Sequence, residues 1–265
     1  MEYETELAIS YDAVISASKL IRELYDSFSE KDVAYKDDDS PLTRADTEAN
    51  RLIISELAET FPKDGILSEE HDDDKSRLEK GRVWVVDPLD GTKEFIKKNG
   101  EFTVNVALVV DGQPVIGVIG IPAKHQVYYA VAGEGAFFVD STGVKTPIKI
   151  SSESDISKMT LAKSRSHASD KLQDVTAKLG IENVIASGSS VKGCLVASGD
   201  AEVYIRLGPT HEWDVCAMHA IVAEAGGVMT DLVGSPITYN HENTLLSGFV
   251  VSNGKAHDKI LEAIK

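Results

Sequence analysis

Cysteine is scarce in this chain of 265 residues. Its two cysteines, Cys194 and Cys216, are 22 positions apart and have no CxxC partner. This spacing indicates neither a disulfide framework nor a zinc site built on cysteine. Both residues are therefore expected to be buried, reduced thiols, as is typical of a cytoplasmic protein.

The chain also lacks long apolar runs and an excess of basic residues. No apolar run approaches the ~18 residues of a membrane-spanning helix, and the opening MEYETELAIS lacks the basic and apolar regions of a secretory signal. Lysine and arginine number 27 against 43 acidic residues, which gives a formal net charge of −16. Because nucleic acids and anionic membranes attract cations, neither is expected as a partner.

Helical periodicity precedes strand patterns in the first part of the chain. Large or apolar residues recur every three or four positions over residues 5–28 and again after Thr43-x-x-Asp46, which predicts two helices, the second ending at Phe61. The strand patterns that follow are a buried strand at 83–86 and hairpins that turn at 111–112 and 133–135. Residues 1–153 therefore predict an α+β half whose sheet is mainly antiparallel.

A polar segment at residues 151–157 separates this half from one in which strands and helices alternate. The predicted strands are at 160–163, 184–186, 201–207 and 248–252, and the predicted helices are at 169–179, 189–198, 214–225 and 255–264. Alternation of this kind is typical of α/β structure. We therefore expect a second, α/β half over residues 154–265.

Several acidic residues stand beside glycine or proline near the ends of predicted strands. They are Glu69, Glu70, Asp87, Asp90 and Asp214. Mg²⁺ prefers carboxylate oxygens and keeps several waters, so acids from separate strand ends are the expected form of its site, with the Leu89 carbonyl as a further ligand. Each motif alone has an ordinary explanation, a solvated Glu-Glu pair or a DPLDG turn. Their combination predicts a metal site.

The residues after Asp90 add a feature that suits phosphate. Gly91 and Thr92 precede KEFIKK, and a helix beginning there would direct free N–H groups toward an anion held by the acids. Metal, phosphate and water would then meet in one place, as metal-assisted phosphoryl transfer requires.

Three separated motifs resemble a known family. WVVDPLDGTKEFIKKNGEFTVNVALV, with LSEE upstream and WDVCAMHAIVAEAGG downstream, resembles the inositol monophosphatase superfamily of Mg²⁺-dependent, lithium-sensitive phosphatases. The resemblance spans nearly the whole chain, and DGTKEFIKKNGEFTVN is similar to its branch of CysQ-type 3′(2′),5′-bisphosphate nucleotidases. It implies a layered α-β-α-β-α sandwich of the sugar-phosphatase type with two or three Mg²⁺ ions.

The resemblance also implies roles for individual residues. The implied metal ligands are Glu69, Asp87, the Leu89 carbonyl, Asp90 and Asp214, with Glu70 holding an outer water. Asp46 and Thr92 would together orient and deprotonate the attacking water, and a threonine hydroxyl can pass its hydrogen bond to a carboxylate. Taken alone, Thr43 and Asp46 are also explained as a helix cap.

Three stretches of the second half are implied to bind the rest of the substrate. They are SRSH, which ends at His167, GSSVKGC, which contains Ser189 and Lys192, and Arg206. His167 would contact the base or ribose, Ser189 and Lys192 a second phosphate, and Arg206 a phosphate or sugar. Gly91, Thr92 and Asp214 would contact the scissile phosphate. Each also has a structural explanation as a surface residue, a helix cap or an ion pair.

The expected activity is hydrolysis of the 3′-phosphate of adenosine 3′,5′-bisphosphate, with 3′-phosphoadenylyl sulfate as a second substrate. Two alternatives stay open. One is an inositol monophosphatase or inositol polyphosphate 1-phosphatase, and the other is a non-catalytic nucleotide sensor on the same fold. A cytoplasmic monomer or weak homodimer is expected, with a small phosphate ester as its ligand.

Overall fold

The computed structural model describes residues 2–29, 33–36, 41–165 and 170–265. The helices in this part of the chain are α1 (Glu4–Ser27), α2 (Arg44–Thr60), α3 (Thr92–Ile96), α4 (Asp170–Leu179), α5 (Val191–Ala197), α6 (Glu212–Glu224) and α7 (His257–Ile264). The strands are β1 (Val33–Tyr35), β2 (Pro41–Thr43), β3 (Gly65–Ser68), β4 (Arg82–Asp90), β5 (Thr103–Val110), β6 (Gln113–Ile121), β7 (Gln126–Val131), β8 (Gly135–Val139), β9 (Lys145–Ile148), β10 (Thr160–Ser164), β11 (Asn183–Ser187), β12 (Val203–Arg206), β13 (Thr210–His211), β14 (Val228–Thr230), β15 (Leu245–Leu246) and β16 (Phe249–Ser252).

Strands β3 to β9 form a seven-stranded sheet in sequence order. β3 runs parallel to β4, and every later pair is antiparallel, as the hairpin signals predict. β4 does not end at Val86 as predicted but continues to Asp90, with an irregularity in its pairing between Asp87 and Asp90. Asp87 stands opposite Asn105 and Asp90 opposite Thr103 on β5. The two aspartates are therefore held in register by a neighbouring strand.

The second sheet has five strands in the order β11-β10-β12-β16-β14. β10 pairs in parallel with β11 and β12, whereas β16 pairs antiparallel with β12 and β14. Two short antiparallel pairs, β1 with β2 and β13 with β15, lie outside both sheets.

The elements stack in five layers, which follow from the alternation of side chains along the strands. Trp84 and Val86 of β4 pack with α1 and α2 in one core, and Val83 and Val85 pack in another core with α5, α6 and the inner face of the second sheet. A third core joins the outer face of that sheet to α4 and α7. The predicted α-β-α-β-α architecture is confirmed.

Both cysteines lie in the core between the two sheets. Cys194 of α5 and Cys216 of α6 are buried and free, as predicted, and burial raises the pKa of the Cys216 thiol. Among the described helices, none has both the length and the apolar composition needed to cross a lipid bilayer. The division of the chain between residues 153 and 154 stays a prediction.

Helix α6, which carries Asp214, lies unusually close to the large sheet because Gly117 of β6 has no side chain. A Cβ on Gly117 would lie 2.2 Å from the Ala217 carbonyl oxygen. Gly117→Ala is therefore expected to lower the melting temperature by about 5–10 °C, since backbone on both sides must move. Gly208→Ala is the matched control, because a Cβ there meets nothing within 4 Å. Equal melting temperatures for the two variants would contradict this account of the packing.

Candidate active site

The ends of β3, β4 and β10 and the first turns of α5 and α6 surround one cavity. Its volume is about 230 Å³. The predicted site residues that line it are Glu69, Asp87, Leu89, Asp90, Gly91, Thr92, Ser189, Lys192, Arg206 and Asp214. Residues that are up to 145 positions apart in the chain therefore meet around one space, as the resemblance implies.

Three carboxylates from different elements converge in this cavity. Glu69 follows β3, Asp87 lies in β4 and Asp214 lies in the first turn of α6. Oxygens of the three side chains all lie within 4.8 Å of one another. The sequence predicts Asp214 near the end of a strand, whereas in the structure it lies in the first turn of α6, just after β13. There its Oδ2 accepts hydrogen bonds from the Thr210 hydroxyl at 2.5 Å and from the His211 N–H at 2.9 Å.

The acids repel one another when no cation is present. Burial raises the pKa of Asp87 well above its ordinary value, and the charges of Glu69, Asp90 and Asp214 raise it further. Burial, followed by the charge of Asp90, raises the pKa of Asp214 to about 7. Burial also raises the pKa of Asp90. Each ionised form is disfavoured in the fold, so the positive charge near these acids, such as that of Lys192 near Asp90, does not balance their burial and mutual repulsion.

A divalent cation fits this donor set. Asp87 is 1% exposed, and its Oδ1 accepts a hydrogen bond from the Leu89 N–H at 3.0 Å. In the part of the chain that the structure describes, its Oδ2 is buried and has no hydrogen-bond donor. A buried carboxylate oxygen without a donor costs free energy unless a cation binds it. The donors of this site are carboxylate oxygens, which are ligands that Mg²⁺ and similar hard cations prefer.

Asp46 and Thr92 form a hydrogen-bonded pair beside these acids. The Thr92 hydroxyl donates to Asp46 Oδ1 at 2.9 Å. The other oxygen, Oδ2, accepts from the Thr43 N–H at 2.8 Å and from the Thr43 hydroxyl at 2.6 Å. Asp46 therefore caps α2 with one oxygen and holds Thr92 with the other, so the cap and the predicted catalytic role are compatible. Burial raises the pKa of Asp46, although its hydrogen bonds to Thr43 and Thr92 oppose the shift.

Two cations of the predicted phosphate subsite line the far side of the cavity. Lys192 is 4% exposed, and its ammonium donates to the Ser189 carbonyl at 2.6 Å. Burial lowers the pKa of Lys192, the charge of Asp90 opposes this shift, and the charge of Arg206 adds to it. Arg206 donates to the Pro209 carbonyl at 2.8 Å. Two neighbouring cations in so acidic a chain favour an anionic ligand between them.

Comparison with known protein families decides the relationship. The inositol monophosphatase family model matches residues 2–265 of this chain. The chain belongs to the inositol monophosphatase family. The resemblance found in the sequence motifs is therefore confirmed.

Individual members of the inositol monophosphatase family are also similar. The 3′(2′),5′-bisphosphate nucleotidase CysQ of Escherichia coli strain K12 is 41% identical over 239 residues, which cover 89% of this chain and 95% of that protein. The crystal structure of CysQ from Bacteroides thetaiotaomicron is 37% identical, with a TM-score of 0.81 and coverage of 95% of this chain and 98% of that chain. An IMPase structure from Thermotoga maritima is 25% identical, with a TM-score of 0.82 and coverage of 98% and 96%.

Asp46 and Glu70 are predicted site residues that do not line the cavity of this inositol monophosphatase family member, although Asp46 accepts a hydrogen bond from the cavity residue Thr92. Glu70 lies outside it, and its carboxylate shares the Lys36 ammonium with Glu69. Although burial lowers the pKa of Lys36, the charges of both glutamates raise it overall. His167 lies outside the described residues, so its predicted contact with the base or ribose stays a prediction.

Sequence reasoning missed three polar residues at the site of this family member. Lys36 pairs with Glu69 at 2.8 Å, and Ser190 and Asn105 are buried beside Asp90 and Asp87. The available signal for Ser190 was the GSS motif, in which Ser189 was selected instead. For Asn105 the signal was a polar residue in the middle of the apolar strand TVNVALVV.

Proposed function

We propose that this chain is a Mg²⁺-dependent phosphatase that hydrolyses the 3′-phosphate of adenosine 3′,5′-bisphosphate to AMP and phosphate, and that also accepts 3′-phosphoadenylyl sulfate. The observation that carries the proposal is the convergence of Glu69, Asp87 and Asp214 within 4.8 Å of one another beside the Asp46–Thr92 pair. The substrate is supported by the 41% identity to a 3′(2′),5′-bisphosphate nucleotidase.

The residues that would hold two or three Mg²⁺ ions are Glu69, Asp87, the Leu89 carbonyl, Asp90 and Asp214, with Glu70 holding an outer water. When bound, Mg²⁺ lowers the pKa of the attacking water and neutralises charge that develops on the phosphoryl oxygens. Burial, followed by repulsion from neighbouring carboxylates, raises the pKa values of Asp87 and Asp214. These shifts support the assignment, because a bound cation would offset both effects.

The protein itself would move the proton of the attacking water. Thr92 Oγ1 donates its hydrogen to Asp46 Oδ1 at 2.9 Å, so its lone pairs are free to accept a hydrogen bond from water. As the water attacks phosphorus and the bond from phosphorus to the ribose 3′-oxygen breaks, the proton of the water passes to Thr92 while the Thr92 proton passes to Asp46. The leaving 3′-oxygen takes up a proton from solvent water. The raised pKa of Asp46 suits a base, because a more basic carboxylate accepts a proton more readily.

The remaining cavity residues would orient the nucleotide. Lys192 and Arg206 would bind the 5′-phosphate together with the Ser189 hydroxyl, which is buried and has no hydrogen-bond partner among the described residues. Gly91 has a φ of +97°, which favours glycine and turns the chain so that the backbone after Asp90 approaches the scissile phosphate. His167 would contact the base or ribose.

A phosphate-release panel tests the proposal. Purified protein with Mg²⁺ is expected to show a kcat/KM for adenosine 3′,5′-bisphosphate that exceeds that for inositol 1-phosphate by about 100-fold, because one further charged phosphate contact contributes up to about 3 kcal/mol. The panel also contains 3′-phosphoadenylyl sulfate and inositol 1,4-bisphosphate. All four esters are measured at the same Mg²⁺ concentration and ionic strength.

The ranking of the four esters separates the proposal from its alternatives. A higher kcat/KM for inositol 1-phosphate or inositol 1,4-bisphosphate would favour an inositol phosphatase instead. Arg206→Gln provides an internal control, since it removes a cation from the proposed 5′-phosphate subsite. The variant should narrow the difference in kcat/KM between the nucleotide and inositol 1-phosphate, because only the kcat/KM for the nucleotide should fall.

A further inference from the structure

A buried hydroxyl connects the elements that bear the acids. Ser190, the residue before α5, is 3% exposed. Its Oγ lies 2.7 Å from the Asp214 carbonyl oxygen and 3.1 Å from Asp90 Oδ2. It also accepts a hydrogen bond from the Asn105 side-chain amide at 3.1 Å. One side chain thus joins α6, the end of β4 and the middle of β5.

The proton and one of the two lone pairs of this hydroxyl already have hydrogen-bond partners within the protein. A serine hydroxyl has one proton to donate and two lone pairs to accept with. Asn105 donates to one lone pair, and the proton is available either to the Asp214 carbonyl or to Asp90 Oδ2. Both of these acceptors belong to acidic residues of the cavity, so the natural role of Ser190 is to fix those acids rather than to bind a substrate.

The position of the Asp90 carboxylate depends on Ser190 more than the positions of the other acids do. Within the described ranges, the hydrogen bond to the Asp90 carboxylate comes from the Ser190 hydroxyl. Since the pairing of β4 is irregular just before Asp90, the strand alone does not hold this side chain as firmly as a regular ladder would.

Asn105 supports the same arrangement from the large sheet. It is 1% exposed and stands opposite Asp87 in the register of β4 and β5. A buried amide is costly in a strand whose other side chains, apart from Thr103, are apolar. Its Oδ1 has no partner among the described residues. Its one recorded side-chain hydrogen bond goes to Ser190, which indicates that the amide is there to orient this hydroxyl.

We propose that Ser190, oriented by Asn105, is a positioning residue that sets the affinity of the acidic cavity for Mg²⁺ by holding Asp90 and the first turn of α6 in place. The inference rests on the proposed function in that it requires Mg²⁺ to be the cation. Partners that hold metal ligands in place typically change metal affinity by about 10–100-fold when they are removed.

The test is calorimetric titration of MgCl₂ into the full-length protein after chelator treatment and without substrate. Ser190→Ala is expected to raise the Kd for Mg²⁺ about tenfold. Asn105→Ala should raise it less, because the hydroxyl remains. The double variant should bind no more weakly than Ser190→Ala, since residues that act through one hydroxyl are not additive.

Ser198→Ala is the matched control. It removes a hydroxyl just beyond the other end of α5, where Ser198 bonds to the Cys194 carbonyl at 3.0 Å and to the exposed Asp200 carboxylate at 2.5 Å. None of these partners lines the cavity. The Kd of this variant for Mg²⁺ should equal that of the wild-type protein. Melting temperatures measured in chelator verify that every variant is folded, and Ser190→Thr, which keeps the hydroxyl, should restore Mg²⁺ affinity.

The outcomes separate this inference from the proposed function. A wild-type protein that binds no Mg²⁺ overturns both. Mg²⁺ binding by the wild type with the same Kd in Ser190→Ala overturns the inference alone. If Ser190→Ala does not fold, Asn105→Ala decides, because an unchanged Kd in that variant contradicts the orienting role of the amide.

Discussion

Replacing Asp214 by asparagine is expected to lower kcat/KM for adenosine 3′,5′-bisphosphate by about 10³-fold. Under the proposed function, the change removes one Mg²⁺ ligand and with it several kcal/mol of transition-state stabilisation. In chelator, the same change should raise the melting temperature at neutral pH. Asparagine keeps an oxygen that accepts from Thr210 and His211, so the first turn of α6 remains capped. The variant is therefore expected to be less active and more stable than the wild type.

The rise in stability follows from the sign of the pKa shift. Asp214 has a pKa of about 7 in the fold against an ordinary value of 3.8, so the folded protein binds this proton more tightly than the unfolded chain does. The contribution of Asp214 to stability is complete below pH 3.8 and is lost as pH rises to about 7. Because asparagine does not ionise, Asp214→Asn should not lose this contribution to stability as pH rises.

Melting temperatures in chelator, measured across this pH range for both proteins, check the second part of the prediction. The difference between variant and wild type should grow as pH rises. Asp155→Asn is the control, because Asp155 is exposed, does not line the cavity and has a pKa lowered by its hydrogen bonds to Ser157. Parallel pH curves for Asp214→Asn and wild type would show that the acids of the cavity do not repel one another as described.

The acids of the site could be predicted from sequence because each belongs to a short local motif. Asp87 and Asp90 are three positions apart in a strand that precedes Gly91-Thr92, and Asp214 follows Trp213 in a helical stretch of its own. Residue type and local spacing are sufficient for such motifs. The expectation that these acids meet in space came from the family resemblance. In the structure, Glu69, Asp87 and Asp214 lie together.

The residues that support the acids could not be predicted in the same way. Ser190 and Asn105 are 85 positions apart, and their hydrogen bond exists only because the two sheets enclose α5 and α6. Lys36 stands in a charged stretch, where a surface lysine is the ordinary explanation. Its pairing with Glu69 and Glu70 depends on the antiparallel pairing of β1 with β2, because Lys36 directly follows β1.

Short strands at the sheet edges were the elements that sequence patterns did not predict. β9 contains Pro147, which lacks an N–H and so argues against a central strand. The structure places β9 at the edge of the large sheet, where it pairs with β8 alone. β14 follows Gly226-Gly227 and is three residues long, too short for an alternating pattern to be recognised.

Replacing Asp46 by asparagine is expected to lower kcat by about 10²–10⁴-fold while leaving the Kd for Mg²⁺ near the wild-type value. The asparagine side chain would still present an oxygen to the Thr43 N–H, so the cap of α2 survives. It would lack the negative charge that draws a proton from Thr92. The expected loss is therefore in the chemical step, and KM for the nucleotide should change little.

Thr92→Val provides the matched comparison. It removes the hydroxyl that donates to Asp46 Oδ1 at 2.9 Å and keeps the volume of the side chain. If proton transfer runs through both groups, the two single variants and the double variant should lose similar factors in kcat, because residues that act as one unit are not additive. Losses that multiply in the double variant would show that Asp46 and Thr92 act independently.

The same variant distinguishes a phosphatase from a nucleotide sensor on this fold. A sensor has only binding to lose, so Asp46→Asn should leave its response to nucleotide unchanged. A catalyst should bind adenosine 3′,5′-bisphosphate with a similar Kd in the variant and the wild type but release phosphate far more slowly. Both quantities are measurable on one preparation, by calorimetry and by phosphate release. A wild-type protein that binds the nucleotide without releasing phosphate would establish the sensor instead, because Asp46 would then serve only to cap α2 with Thr43 and to hold Thr92 in place.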